Sequence, residues 1–141
     1  MKNVFSVISS IPLFSGLSGD HLGQIEGIAE QKSYSRNEII FSEGDNGNGF
    51  YVVATGKVKI YKSSADGKEK ILHIFGPGAP FAEVPVFTGS VFPANAVALQ
   101  KSVLLFFPKD DFVGLIKQNP SLALGMLGVM SMRLREFTVQ I

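Results

Sequence analysis

Pro77-Gly78-Ala79-Pro80-Phe81-Ala82-Glu83-Val84-Pro85-Val86-Phe87-Thr88-Gly89-Ser90-Val91-Phe92-Pro93-Ala94-Asn95-Ala96-Val97-Ala98 is the stretch on which the fold turns. It leaves a Gly/Pro turn, presents one carboxylate at Glu83, continues through one short apolar turn of chain, and from Val91 to Ala98 reads as extended and β-forming. A backbone bent this sharply beside a lone acid suits a small concave polar site. The plain alternative is a proline-rich surface loop with a solvated glutamate, and the flanking segments bear on the choice.

Around this stretch, short β-like runs fall at residues 38–41, 50–55, 57–62, 70–75, 96–99 and 103–107. They break at Gly44-Asp45-Asn46-Gly47, Gly56, Asp66-Gly67, Gly76-Pro77-Gly78 and Ser90. A repeat of about ten residues with Asp-Gly hairpin chemistry predicts an antiparallel barrel or jelly roll. Both flanks read as helical. Ser18 stands as an N-cap between Leu17 and Leu22, and Leu22, Ile25, Ile28 and Ala29 then form an apolar stripe. After the barrel, Lys109-Asp110-Asp111 opens an amphipathic segment through Phe112, Leu115 and Ile116, and Asn119-Pro120 reads as an N-cap followed by proline at the first helical position.

A long helix is expected from about residue 120 to the end. Along it Leu127, Met130, Leu134, Phe137 and Ile141 step by three and four, while Leu122, Met126 and Val129 occupy another face. Two apolar faces need two partners: the barrel for one and the same helix of a second subunit for the other, giving an isologous dimer. The alternative is a helix buried within a monomer. The expected organisation is one domain, with helices at 1–31, a β-roll at 32–108 and helices at 109–141.

Composition narrows the function. A chain of 141 residues and 15.2 kDa with 45% hydrophobic residues and 15 glycines fits a packed, turn-rich fold. Thirteen Lys+Arg against 12 Asp+Glu leave a net charge of +1, too little to gather nucleic acid or an anionic membrane surface. No run reaches the roughly 18 apolar residues of a membrane span, and Met1-Lys2-Asn3 opens no signal peptide, so a cytoplasmic location is expected. The absence of cysteine excludes disulfides and thiolate ligation. Two isolated histidines, His21 and His73, do not make a metalloenzyme cluster, and Ser9-Ser10 and Ser63-Ser64 have no visible catalytic partners. No phosphate-binding Gly-rich loop with Lys-Ser/Thr is present either, so the chain reads as no enzyme.

The order of elements, with Phe41-Ser42-Glu43-Gly44-Asp45, Phe50-Tyr51-Val52-Val53, Gly56, Val58, Gly67-Lys68-Glu69-Lys70-Ile71-Leu72 and Phe81-Ala82-Glu83, resembles the cyclic-nucleotide-binding sensor domain of the CRP/FNR transcription regulators. The resemblance implies an eight-stranded β-roll with a phosphate-binding cassette and a dimerisation helix. A helix-turn-helix domain normally follows in that family, so DNA contact is expected only through a domain this chain lacks. Ending on the seam residue Ile141 suggests a truncated chain.

In cyclic-AMP-binding relatives the cassette reads Phe-Gly-Glu and, about ten residues on, Arg-Ser or Arg-Thr followed by Ala. The resemblance gives the glycine's amide and the arginine fork to the phosphate, and the glutamate to a ribose hydroxyl. Here Ala82 replaces the glycine, Glu83 is kept, and Pro93-Ala94 stands at the Arg-Ser position. No arginine occurs between Arg36 and Arg133. A buried phosphate without its cation loses several kcal/mol, roughly a thousandfold in affinity. Lys101 follows the strand and is expected at its end in water. Where cyclic-AMP binders carry Thr-Ser on the long helix, this chain has Phe137-Thr138, and Arg133 matches a basic position on that helix.

Cyclic AMP is therefore disfavoured as effector, and the chain is more like the non-nucleotide branch, whose members sense nitrosative or oxidative stress, carbon monoxide, aromatic compounds or other metabolites. The resemblance points His73 and Phe75 into the pocket near Glu83. His73 and His21 are the two candidate haem ligands; the simpler reading makes His73 a core histidine bonded to backbone and His21 a surface residue. The expected ligand-binding set is Ile60, His73, Phe75, Ala82, Glu83, Pro93, Ala94, Asn95, Arg133, Phe137 and Thr138, lidded by the long helix. Two alternatives stay open: a cyclic-nucleotide receptor with a rearranged phosphate grip, and a structural dimer module whose pocket is filled by Phe75, Phe92 and Phe137.

Overall fold

The computed structural model describes residues 4–139; of these, the side chains of Arg133, Phe137, Thr138 and Val139 are not described. The chain forms two compact units. One is Ala29–Asp110, and the other joins the segment ending at Ile28 to the segment beginning at Asp111.

The first unit holds eight strands: β1 Glu30–Tyr34, β2 Ile39–Phe41, β3 Gly49–Thr55, β4 Val58–Ser63, β5 Glu69–Phe75, β6 Pro80–Phe81, β7 Asn95–Ala98 and β8 Ser102–Pro108. Two four-stranded sheets run in the orders β1-β8-β3-β6 and β2-β7-β4-β5. Every pairing is antiparallel. This is the expected jelly roll. The hairpin from β4 to β5 closes at Asp66-Gly67, where Gly67 takes φ +83° and its N–H donates to Ser64 O at 3.0 Å. At the β3–β4 turn Gly56 is required twice over: φ is +101°, and a Cβ there would fall 2.7 Å from Ser102 Cα.

Between the sheets lies a core of Phe41, Tyr51, Val53, Val58, Phe81, Phe92, Ala96, Leu104 and Phe106. Strand β3 is buried along nearly its whole length because both of its faces are covered. Tyr51 and Val53 face this core, while Phe50 on the outer face stacks on Phe107 at 4.8 Å and meets Phe87 at 6.4 Å. Phe87 belongs to α3, Glu83–Thr88, the short apolar turn expected after Glu83.

Three strand expectations need correction, the first being β6, whose two residues Pro80–Phe81 are too few to read as a run. Strand β1 was not anticipated, because Glu30-Gln31-Lys32-Ser33-Tyr34 carries no apolar alternation; pairing with β8, Glu30 opposite Phe106 through Tyr34 opposite Ser102, makes it a strand. The extended reading of Val91–Ala98 holds only for β7. Val91 makes an isolated bridge to Asn46, and Pro93-Ala94 bends, as a proline without an N–H imposes.

The second unit contains α1 Val4–Ser9, a 3₁₀ turn Pro12–Phe14, α2 Gly19–Ile28, most of α4 Lys109–Gln118, and α5 Pro120–Val139. Ser18 caps α2 as expected, its Oγ accepting from His21 N–H at 3.2 Å. Leu22 and Ile25 are buried, Ile28 and Ala29 only half so. Proline does open α5, but Asn119 acts differently from the expectation. Its amide donates to Leu115 O at 3.3 Å, tying off the end of α4, while its backbone carbonyl accepts from Leu122 N–H. On α5 the Leu122–Met126 face is buried, with Gly125 so close to Leu17 that a Cβ would lie 2.7 Å from Leu17 Cδ2. Phe14 and Phe112 pack with ring centroids 6.2 Å apart.

The Tyr34 and Tyr51 hydroxyls are hydrogen-bonded to each other within the β-roll, and burial, then the neighbouring tyrosine, raises the Tyr51 phenol above its ordinary 10.0. A folded-state value above the unfolded one means the contribution of Tyr51 is complete below pH 10 and is lost as pH rises beyond it. Urea titrations from pH 8 to 11 are expected to show stability falling above pH 10 in the native chain and a shallower fall in Tyr51→Phe. Equal slopes would remove Tyr51 as the cause.

Candidate functional site

A cavity of about 240 Å³ opens within the β-roll unit, lined by residues from β2, β4, β5, β6, α3 and the bend before β7. Ile60 points inward from β4 alongside Val58. Opposite, Ile60 pairs with His73 and Tyr61 with Ile71, so Leu72 is an extra residue on β5. Beyond this bulge the two-residue period of the strand puts His73 and Phe75 on the same side, where their rings lie 4.1 Å apart. Phe81 closes β6, with Tyr51 and Phe75 both stacked against it at 5.4 and 5.5 Å. Phe92 stacks on Phe41 at 3.9 Å and 12°. The walls are thus four phenylalanine rings with Ile60, Val84, Pro85, Pro93 and Ala94 between them.

Ala82 precedes α3 with φ +66° and ψ +21°, a left-handed conformation that a residue with a Cβ adopts at a cost of about 1–2 kcal/mol. The backbone therefore keeps the shape a glycine would give it. That bend delivers Glu83 at the first position of α3, lining the cavity. Its Oε2 is inaccessible to solvent and has no hydrogen-bond partner among the described residues. Such an atom normally has a partner, and leaving it without one costs about 1–3 kcal/mol or more for a charged group.

Among the described residues, no lysine or arginine lines the cavity. Lys59 on β4 is held by Glu69 at 2.7 Å and lies 4.9 Å over the Tyr61 ring. Lys62 reaches Glu43 at 4.0 Å, and Lys101 is exposed at the turn before β8. Pro93 and Ala94 themselves line the wall.

Of the expected ligand-binding residues, the fold brings together Ile60, His73, Phe75, Ala82, Glu83, Pro93 and Ala94. Asn95 is elsewhere: its Oδ1 accepts from Glu43 N–H at 2.8 Å and pins the loop after β2. The side chains of Arg133, Phe137 and Thr138 lie outside the described residues, as does Ile141. His73 is not a core histidine; its strand is the edge of its sheet, and Ile71, Leu72, His73 and Ile74 are all exposed. His21 is on the surface of α2, its Nε2 3.1 Å from Ser121 Oγ. Phe41, Phe81, Val84 and Pro85 line the cavity without having been anticipated. For Phe41 and Phe81 the signal was an aromatic residue at the end of each short strand bordering the cassette.

A haem does not fit this arrangement. The cavity is below the roughly 300–1,000 Å³ of pockets for drug-sized ligands, smaller than a porphyrin needs, and the His73 ring packs on Phe75 at an exposed edge. Among the described residues no three His, Asp or Glu side chains are grouped as metal ligands. Nor is any helix among them long and apolar enough to cross a membrane.

The family model for the cyclic nucleotide-binding domain matches residues 31–119. The cyclic AMP receptor protein of Thermus thermophilus is 31% identical over 92% of this chain, which spans 60% of that protein. Two solved structures are also similar. The N-terminal domain of a transcriptional regulator from Streptomyces coelicolor A3(2) is 30% identical, with a TM-score of 0.82 over 93% of this chain and 94% of that one. The sensor domain of the transcriptional regulator DNR from Pseudomonas aeruginosa is 28% identical, with a TM-score of 0.77 over 96% of this chain and 91% of that one. The match across the β-roll, the jelly-roll strand order and the cassette bend at Ala82-Glu83 agree: the chain belongs to the cyclic nucleotide-binding domain family, close to the CRP-family regulators.

Proposed function

We propose that the chain is the effector-sensing and dimerising part of a CRP/FNR-type transcription regulator whose effector is not cyclic AMP. The observation that carries this reading is a cassette with its bend intact and its anion grip gone: Ala82 holds the left-handed turn, Glu83 lines the cavity, and Pro93-Ala94 supplies no cation. Against the purely structural module stands a cavity that Phe75 and Phe92 border without filling; the third ring of that alternative, Phe137, lies outside the described side chains. Isothermal titration with cyclic AMP and cyclic GMP tests the reading, with no binding expected at micromolar concentrations. The competing reading, a true cyclic-nucleotide receptor, is favoured by the retained Glu83 and by the name of the Thermus relative. Micromolar or tighter binding of either nucleotide decides for it.

Dimerisation is proposed through α5. Leu127, Met130 and Leu134 are 56, 46 and 67% exposed, an apolar stripe at the three-and-four spacing of a helix seam. The rest of the proposed seam, Phe137 and Ile141, lies outside the described residues. Like charges placed on such a seam oppose each other across the two-fold axis, so Leu127→Glu with Leu134→Glu is expected to weaken self-association by about thirtyfold or more. Sedimentation velocity at rising concentration measures this; an unchanged weight-average mass would place the interface elsewhere.

In the proposed regulator, DNA is read by a domain outside this chain. An effector shifts the balance between two arrangements of the dimer only as far as it binds them unequally.

A further inference from the structure

The cavity specifies more about its occupant than the absence of a nucleotide. Among the described residues its only acid is Glu83, with no lysine or arginine on the lining to oppose it. An anion entering here meets a carboxylate, and among the described residues no lysine or arginine offsets it; the imidazole of His73, on the exposed edge strand, is the one other ionisable group on the lining. The buried Oε2 of Glu83 has no donor among the described residues, so a ligand N–H or O–H arriving there satisfies an acceptor that folding left open. The terminal torsion of a glutamate is soft and two-fold, so either carboxylate oxygen can turn to meet that donor.

The walls fix the rest of the ligand. Phe41, Phe75, Phe81 and Phe92 line the cavity, and aromatic walls favour a flat aromatic body by offset or edge-to-face contact. A dry cavity of about 150 Å³ holds one benzene ring, and drug-sized ligands begin near 300 Å³. At about 240 Å³ this cavity accommodates one ring or two fused rings.

We propose that the effector is a one- or two-ring aromatic molecule, neutral or cationic, that donates an N–H or O–H hydrogen bond to Glu83 and carries no anionic group. The proposal rests on the non-nucleotide reading of the site and narrows it to one chemical class. It makes Glu83 the residue that discriminates among ligands, and the phenylalanine walls the residues that hold them.

Two pairs of probes of matched shape isolate the two requirements. Indole and indene differ in the N–H, and benzamidinium and benzoate differ in the sign of charge. Titration calorimetry on the native chain is expected to give indole at least about tenfold tighter than indene, and benzamidinium at least about tenfold tighter than benzoate. Glu83→Gln, nearly isosteric, is expected to level the charged pair, and Glu83→Leu the neutral pair, with thermal unfolding confirming that each variant is folded.

Indene equal to indole, or benzoate equal to benzamidinium, overturns the proposal. So does the failure of all four to bind below millimolar concentration. Cyclic AMP in the same calorimeter separates the two levels of inference: tight binding of the nucleotide removes the non-nucleotide reading itself, whereas failure of the arenes with cyclic AMP also silent removes only the ligand class.

Discussion

Ala82→Gly, Pro93→Arg and Ala94→Ser combined in one chain are expected to raise its affinity for cyclic AMP by roughly a thousandfold. The bend and the acid that such a site needs are already in place. Ala82 sits at φ +66°, so glycine there relieves strain without moving the backbone, and its smaller profile lets an anion approach the amide. Glu83 already lines the cavity. What is missing is a guanidinium, whose planar fork neutralises a phosphate and bonds it through two N–H groups. Pro93 lines the cavity and is exposed, so a long side chain can enter from the rim without a core position being rebuilt. Arginine also returns a backbone N–H at residue 93. Ala94 is buried, and serine adds only a hydroxyl at the wall.

Calorimetry on the native chain, on Pro93→Arg alone and on the triple variant divides the effect, with most of the gain expected from the arginine. A triple variant that folds and still ignores cyclic AMP would mean that something besides the missing charge excludes the nucleotide.

Phe92→Ala is expected to destabilise the chain by about 3–5 kcal/mol, the range for removing a fully buried aromatic ring. Phe92 is 1% exposed and stacks face to face on Phe41, which itself touches Tyr51 and Phe81. Deleting the ring therefore strips one partner from a connected aromatic cluster and leaves a void beside an existing cavity. Little can collapse into it, because Pro93 is stiff and Phe41 is anchored in β2. In urea the midpoint is expected to fall with little change in slope, and a loss below about 1 kcal/mol would show that the stack contributes little. The same variant serves function: enlarging the cavity while keeping Glu83 should broaden the aromatic ligands accepted without admitting anions.

Legibility in the sequence followed the range of the forces involved. The Ser18 cap, the Asp66-Gly67 hairpin and the start of α5 at Pro120 are written in neighbouring residues, and each formed where the local chemistry places it. Strand β1 was hidden because Glu30-Gln31-Lys32-Ser33-Tyr34 has no preference of its own that outweighs the ladder offered by β8; Lys32 even lays its ammonium 4.2 Å above the Phe106 ring. The role of Asn119 was misread for a related reason. Its type suits a cap at either helix, and only the positions of Leu115 O and Leu122 N decide which carbonyl and which amide are met.

The candidate site divides in the same way. That the cassette lacks an arginine and keeps a glutamate is a property of the sequence alone, since residue type fixes charge. That Phe41, Phe75, Phe81 and Phe92 meet around Glu83, while Asn95 turns aside to Glu43, was decided only when strands far apart in the chain came into register. Strand pairing joins residues by ladder position, which chain distance does not encode, and so the sequence determined which charges the site could own while the tertiary structure determined what surrounds them.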